Sequence, residues 1–211
     1  MTSWMLAALA ALAQDVKVEP LPEAAPPELA EAVRKELEPA ALRVLRDGKP
    51  ILDFWLGRAV PVQPATESLQ LRYTELRAGT LVGAVKVHEG GADFKNQKYP
   101  AGVFTMRYGV QPEDGDHQGT SDTKDYLLLS PAAADAKPGG MSMEDLVKQS
   151  CKVVGRKHPA VIYLVRSETA AKAPAVARDE ARNLFILECE TGTSAGRLRL
   201  GIVVLGKAAD H

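Results

Sequence analysis

YPAGVFTMRYGVQPEDGDHQGTSDTKDYLLLSP, residues Tyr99 to Pro131, decides the fold class. Within it Phe104, Met106, Tyr108 and Val110 alternate with Thr105 and Arg107, the two-residue period of a half-buried strand. DYLLLS is a shorter and more continuously apolar run, and a long polar loop separates the two. The same rhythm continues on both sides. Upstream, ALRVLRDGKPILDFWLG is two apolar runs flanking Asp47-Gly48, a pair suited to positive φ and hence to a hairpin. There Leu52, Phe54 and Leu56 share one face, and Asp53 and Trp55 share the other. LQLRYTEL and LVGAVKV follow, with His88 at the polar end of the second as a solvated histidine. Downstream come AVIYLVR, LFILECETG and RLRLGIVVLG. That makes about nine strands with turn signals between most of them, and two helices. The expectation is an all-β chain, an antiparallel β-sandwich or flattened barrel with two covering helices. A βαβ fold would need a helix after nearly every strand.

The helical signals are local. Pro27 opens a stretch in which Leu29, Ala32, Val33 and Leu37 form one stripe, with Glu31 and Lys35 at i,i+4. Ser142-x-x-Asp145 is a capping box ahead of Met143, Leu146, Val147 and Cys151. Residues 167–183 are alanine-rich but broken by Pro174, and read as a loop with one helical turn. Before the first helix, residues 14–27 are rich in Pro, Ala and Glu and read as an extended tether. Residues 1–13 carry an apolar run too short to span a bilayer and end in Ala11-Leu12-Ala13. This reads as a secretory signal cleaved near Ala13, the alternative being an ordinary buried N-terminal helix, and no Lys or Arg precedes the run. The resulting plan is a signal at 1–13, a tether at 14–27, one β-sandwich domain at 28–207 and a frayed tail at 208–211. It places the protein outside the cytoplasm, secreted or periplasmic, with no transmembrane segment in the mature chain.

Composition removes several classes. The 211 residues carry 26 Lys and Arg against 27 Asp and Glu, a formal charge of −1, and the basic residues are interleaved with acids. A nucleic-acid binder should show a basic stripe, and 5% aromatic content gives no base-stacking platform. There is no G-x-S-x-G elbow, H-E-x-x-H helix, phosphate loop or dinucleotide fingerprint.

The acidic loop is the one constellation with chemistry in it. Set against a calcium-loop pattern, Asp114, Asp116 and Gln118 take positions one, three and five. Gly119 takes the turn, Thr120 offers a carbonyl, and Asp122 and Asp125 take nine and twelve. A hard cation wants several oxygens converging from one tight turn. Against it stand Gln at position five, Ser at eight and the short Asp at twelve. The loop therefore reads either as a Ca2+ site or as a solvated turn built from Asx geometry. Within it His117 has no partner at metal-ligand spacing, and His117 with Arg107 are the only candidates for catalysis.

Cys151 falls on the apolar face of its helix, and Cys189 shares a strand face with Phe185 and Leu187. Either a Cys151–Cys189 disulfide or two separate buried thiols satisfies this pattern. A bridge of that loop length would contribute about 3–4 kcal/mol. Neither cysteine has C-x-x-C spacing.

Pro100, Gly102, Phe104, Thr105, Arg107, Tyr108, Gln111, Pro112, Asp114, Gly115, His117 and Gly119, followed by Asp125-Tyr126-Leu127, form a phrase. It resembles P-x-G-x-[YF]-T-x-R-Y-x-x-Q-P-x-D-G-x-H-x-G, found in a family of secreted bacterial proteins that is a domain of unknown function. Phe104 stands where the family pattern more often has tyrosine, and the resemblance extends over about Ala41 to Pro131. It implies a β-rich secreted domain and no particular activity. The functional expectation is a secreted binding or interaction module for a protein or small-molecule ligand. The alternatives are a hydrolase-type enzyme with a site near residues 107–125 and a calcium-stabilised structural domain.

Overall fold

The alternation in the sequence becomes a sheet with two differently committed faces. The computed structural model describes residues 14–92, 97–112, 124–166 and 172–206. In chain order its elements begin with strand β1 (Val16–Leu21), helix α1 (Glu31–Arg34), β2 (Ala41–Arg46), β3 (Lys49–Leu56) and β4 (Leu81–Val87). A two-stranded ribbon, β5 (Gly91–Ala92) and β6 (Lys98–Tyr99), precedes β7 (Gly102–Val110) and β8 (Asp125–Pro131). Helix α2 (Met143–Val154), β9 (Val161–Val165), β10 (Ala175–Asp179), β11 (Leu184–Thr193) and β12 (Gly196–Leu205) complete the chain.

Ten of these strands form one antiparallel sheet in the order β1-β2-β3-β4-β7-β8-β9-β12-β11-β10, nearly closed into a barrel. The chain winds up and down from β1 to β9, crosses to β10 at the far edge, and returns through β11 and β12 to pair with β9. The two edges, β1 and β10, touch without forming a ladder. Pro20 on β1 has no N–H to offer there, which fits an edge position. The flattened-barrel expectation therefore holds.

Inward-facing residues fill the interior. Phe54, Met106, Leu127, Leu164, Leu187 and Leu200 are all at or near zero exposure, each contributing about 1.5–3 kcal/mol of transfer free energy. The opposite face is covered in two places. Leu29, Val33 and Leu37, the stripe foreseen for the first helix, pack over Trp55 and Ala84, and Trp55 Nε1 donates to Glu23 O at 2.8 Å. Helix α2 lays Leu146 over Tyr126, Leu128 and Tyr163. Its capping box forms as the spacing predicts, with Ser142 Oγ accepting from Asp145 N at 3.2 Å and Gly155 closing the helix at φ 63°. Asp47 and Gly48 both have positive φ, the hairpin signature.

Four expectations are corrected. Residues 14–27 are no tether: Val16–Leu21 is an edge strand registered on β2, and Asp47 N donates to Asp15 O at 2.8 Å, so the folded unit starts before residue 28. The first helix is a single turn, because the chain leaves it to pair with the end of β3: Leu37 bridges to Gly57, and Glu38 N donates to Leu56 O. Residues 175–179, read as loop, form β10, where pairing to β11 overrides the low strand propensity of alanine. LQLRYTEL forms no strand, for a reason that belongs to the site.

Cys151 and Cys189 are free thiols rather than a disulfide. Cys189 points into the barrel, while α2 lies on the outer face of β8, so the sheet separates them. Burial pushes the Cys189 thiol up to about 12. Cys151 Sγ, only partly buried, donates to Lys157 O at 3.2 Å.

Candidate functional site

Strand directions place five connections at one end of the barrel: residues 22–40, the turn at 194–195, and three that bear on the site. Residues 57–80 join β3 to β4, residues 111–124 join β7 to β8, and residues 166–174 join β9 to β10. The first two are locked together by Asp125, the first residue of β8. Its Oδ1 accepts from Tyr108 Oη at 2.6 Å and from Tyr73 N at 3.2 Å, and its Oδ2 accepts from Arg72 N at 2.8 Å. The N–H groups of residues 72 and 73 are thus satisfied by a carboxylate instead of a neighbouring strand, and this is why LQLRYTEL stays out of the sheet. Tyr73 then turns inward. Its hydroxyl donates to Val165 O at 2.6 Å and accepts from Gly201 N at 2.9 Å. Burial, and for Tyr108 also the Asp125 hydrogen bond, raises both phenols well above their ordinary range. Lys124 N donates to Gln70 O, tying the acidic loop's second root to the same segment.

Asp125 is therefore the one proposed calcium ligand whose place is described, and its carboxylate is engaged by three donors of the fold. Asp114, Asp116, Gln118 and Asp122, together with His117, lie outside the described residues. Among the described residues no group of three or more His, Cys, Asp and Glu is placed to hold a metal.

Arg107, the other catalytic candidate, is fully buried on the barrel's outer face. All its N–H donors are spent: Nε and Nη2 on Asp135 at 2.7 and 2.8 Å, Nη1 on Gly79 O and Gly139 O, and Nη2 also on Lys137 O. Thr105 Oγ1 adds a bond to Asp135 Oδ2. This cluster pins residues 135–139 to β7. Gly79 sits in the same junction with φ 86°, and a Cβ there would meet Met141 O at 1.8 Å. Arg107 and the acidic loop are consequently not drawn into one cleft by anything in the described residues.

The same end of the barrel carries an open groove of about 690 Å³ that the sequence did not mark. Leu69 stands at its rim, 95% exposed. Arg72 and Arg166 are exposed beside it, and Arg199 reaches in from β12, held by Glu188 at 3.3 Å. Glu67 and Glu75 supply negative charge, and Glu75 Oε2 is shielded from solvent without a hydrogen-bond partner among the described residues. The rim segment is ordered by its own bonds: Ser68 Oγ accepts from Gln70 N and Leu71 N, and Thr74 Oγ1 bonds Thr66 N and Thr66 O. The signal that could have found it is length. Residues 57–80 hold no strand or helix, and an irregular connection that long in a packed domain is usually functional.

A second polar cluster lies on the outer face of β2–β4. Arg43 grips Asp53 through Nε and Nη2 at 2.8 and 3.0 Å, and His88 Nε2 lies 2.8 Å from Asp53 Oδ2. His88 is therefore paired and largely covered, not solvated as its strand-end position predicts. Burial pushes the Asp53 carboxyl upward, but its bonds to Arg43 and His88 outweigh this and hold it below the ordinary range.

No protein-family model, curated protein or solved structure matches the chain. Among the described residues no helix is long and apolar enough to cross a membrane.

Proposed function

We propose that the chain is an exported binding or interaction module that engages a partner at the loop-bearing end of its barrel. One observation carries this reading: residues 57–80 are held in a fixed irregular path by Asp125 and Tyr73, and that path holds Leu69 out in water. Single exposed leucines are ordinary on a protein surface, but this one stands on the rim of an ordered groove, where burial against a partner would gain about 1.5–3 kcal/mol. Ordering before contact also reduces the entropy lost on association. The interior is packed with apolar side chains, so recognition belongs to the loops rather than to a central cavity. The signal-like residues 1–13 and the likeness to a secreted bacterial family support export.

The test uses the full chain with a photo-crosslinking amino acid in place of Leu69, and in a second protein in place of Lys49 at the opposite end. Cells exporting each protein are irradiated, and the mature mass is measured. The reading expects an amino terminus at Gln14 and adducts that form from position 69 and not from position 49. Equal adducts from both positions, or none from either, would overturn it.

A further inference from the structure

Resting on that reading, we infer that the groove between residues 65–75 and the neighbouring ends of β9 and β12 docks an extended acidic segment of a partner protein. Three features of the groove converge on such a ligand. The guanidinium groups of Arg72 and Arg166 are exposed and make no ion pair among the described residues, whereas Arg199 is anchored on Glu188. Two forked donors with no ion pair among the described residues, one from the 65–75 segment and one from the end of β9, are suited to carboxylates, which they bind with two parallel hydrogen bonds. Leu69 adds an apolar surface at the same groove's rim for a side chain next to the acid. Glu75 Oε2 faces the opposite need. It is shielded from water and has no donor among the described residues, and a peptide main chain laid in the groove supplies N–H groups along its length.

The two acids in the lining also discriminate. Glu67 and Glu75 would repel a uniformly anionic surface such as a bilayer of acidic lipid, and would repel a polyanion without N–H donors. An acidic peptide offers both signs of hydrogen-bonding group in alternation, and the groove does the same. Tyr73, bonded to both Val165 and Gly201, ties the loop wall to the β9–β12 wall, so the groove exists before the ligand arrives.

The experiment measures binding of two fluorescein-labelled synthetic peptides to the full-length mature protein. One has leucines flanked by aspartates; the other has lysine at every aspartate position. Phosphatidylglycerol vesicles serve as a third probe. Saturable binding of the acidic peptide is expected, weaker at higher salt and reduced about tenfold or more by Arg72→Glu, by Arg166→Glu and by Leu69→Asp. All three positions are exposed, so unchanged thermal midpoints confirm that the variants fold. Binding of the lysine peptide in preference, binding of vesicles alone, or no saturation by about 1 mM acidic peptide overturns the assignment of partner class. So does an affinity that the three variants leave intact. If the peptides fail while crosslinking from position 69 succeeds, the end of the barrel stands as a binding surface and only its partner class is wrong.

Discussion

Replacing Arg107 by methionine should be among the most damaging single changes available to this chain. The side chain is fully buried and every one of its donors has an acceptor: both oxygens of Asp135 and the carbonyls of residues 79, 137 and 139. Methionine keeps most of the volume but leaves the Asp135 carboxylate buried with Thr105 alone. Removing one partner of a buried ion pair costs about 3–5 kcal/mol, because the remaining charge is uncompensated. In a domain of this size each kcal/mol moves the thermal midpoint by about 2–4 °C, so a fall of about 6–20 °C is expected. Lysine separates charge from geometry. It restores the charge but has three donors for a site that uses five, so at least two acceptors are orphaned, at about 1–3 kcal/mol each. Arg107→Lys should therefore lose about 2–6 kcal/mol. Adding Asp135→Asn to Arg107→Met removes the stranded charge, and the double variant should be more stable than the sum of the singles by about 1 kcal/mol or more. Urea unfolding followed by tryptophan fluorescence measures the parent and all four variants, Asp135→Asn alone included. A methionine variant within about 0.5 kcal/mol of the parent, or strict additivity with Asp135→Asn, would refute the claim that this arginine is structural.

Two further outcomes follow from other parts of the barrel. The Asp53 carboxyl is held below its ordinary range by Arg43 and His88, which outweigh the opposing effect of burial. Its contribution is therefore present above the unfolded-state value of about 4 and lost as the pH falls through the lower folded value. Asp53→Asn should be clearly less stable than the parent at neutral pH, and the gap should narrow as the pH is lowered from about 5 to 2. A gap independent of pH would show that the carboxylate's charge is irrelevant there. The cysteines give a chemical test: both should take up iodoacetamide in denaturant without any reductant. In the native protein Cys151 should react first and the buried Cys189 only on unfolding. A native mass two protons lighter, with no alkylation before reduction, would mean that the thiols are bridged after all.

How much of this was legible in the sequence depended on whether a residue's partner lay nearby in the chain. Alternation assigned Phe54, Met106, Leu187 and Cys189 to the interior and Asp53 and Trp55 to the other face, because side-chain direction in a strand is a local property. The capping box at Ser142 and the turn at Asp47-Gly48 are local in the same sense. Asp125 is different. As position twelve of an acidic loop it looks like a ligand, yet its oxygens are satisfied by backbone N–H groups more than fifty residues earlier, and nothing in the sequence pairs the two segments. The same carboxylate explains why LQLRYTEL, which has the alternation of a strand, never joins the sheet. The surroundings of Arg107 are hidden from the sequence for a related reason: its acceptors are one carboxylate and three carbonyls from two separate loops, and carbonyls leave no mark in a sequence. Cys151 and Cys189 each face apolar surroundings, as their spacing says, but a sheet with two buried faces has two apolar sides, and the pattern does not tell which one a residue occupies. The groove shows the limit most clearly. Its arginines come from a loop and from the far strands of the barrel, and only closure of the sheet, with Tyr73 bridging to Val165 and Gly201, brings them to one opening.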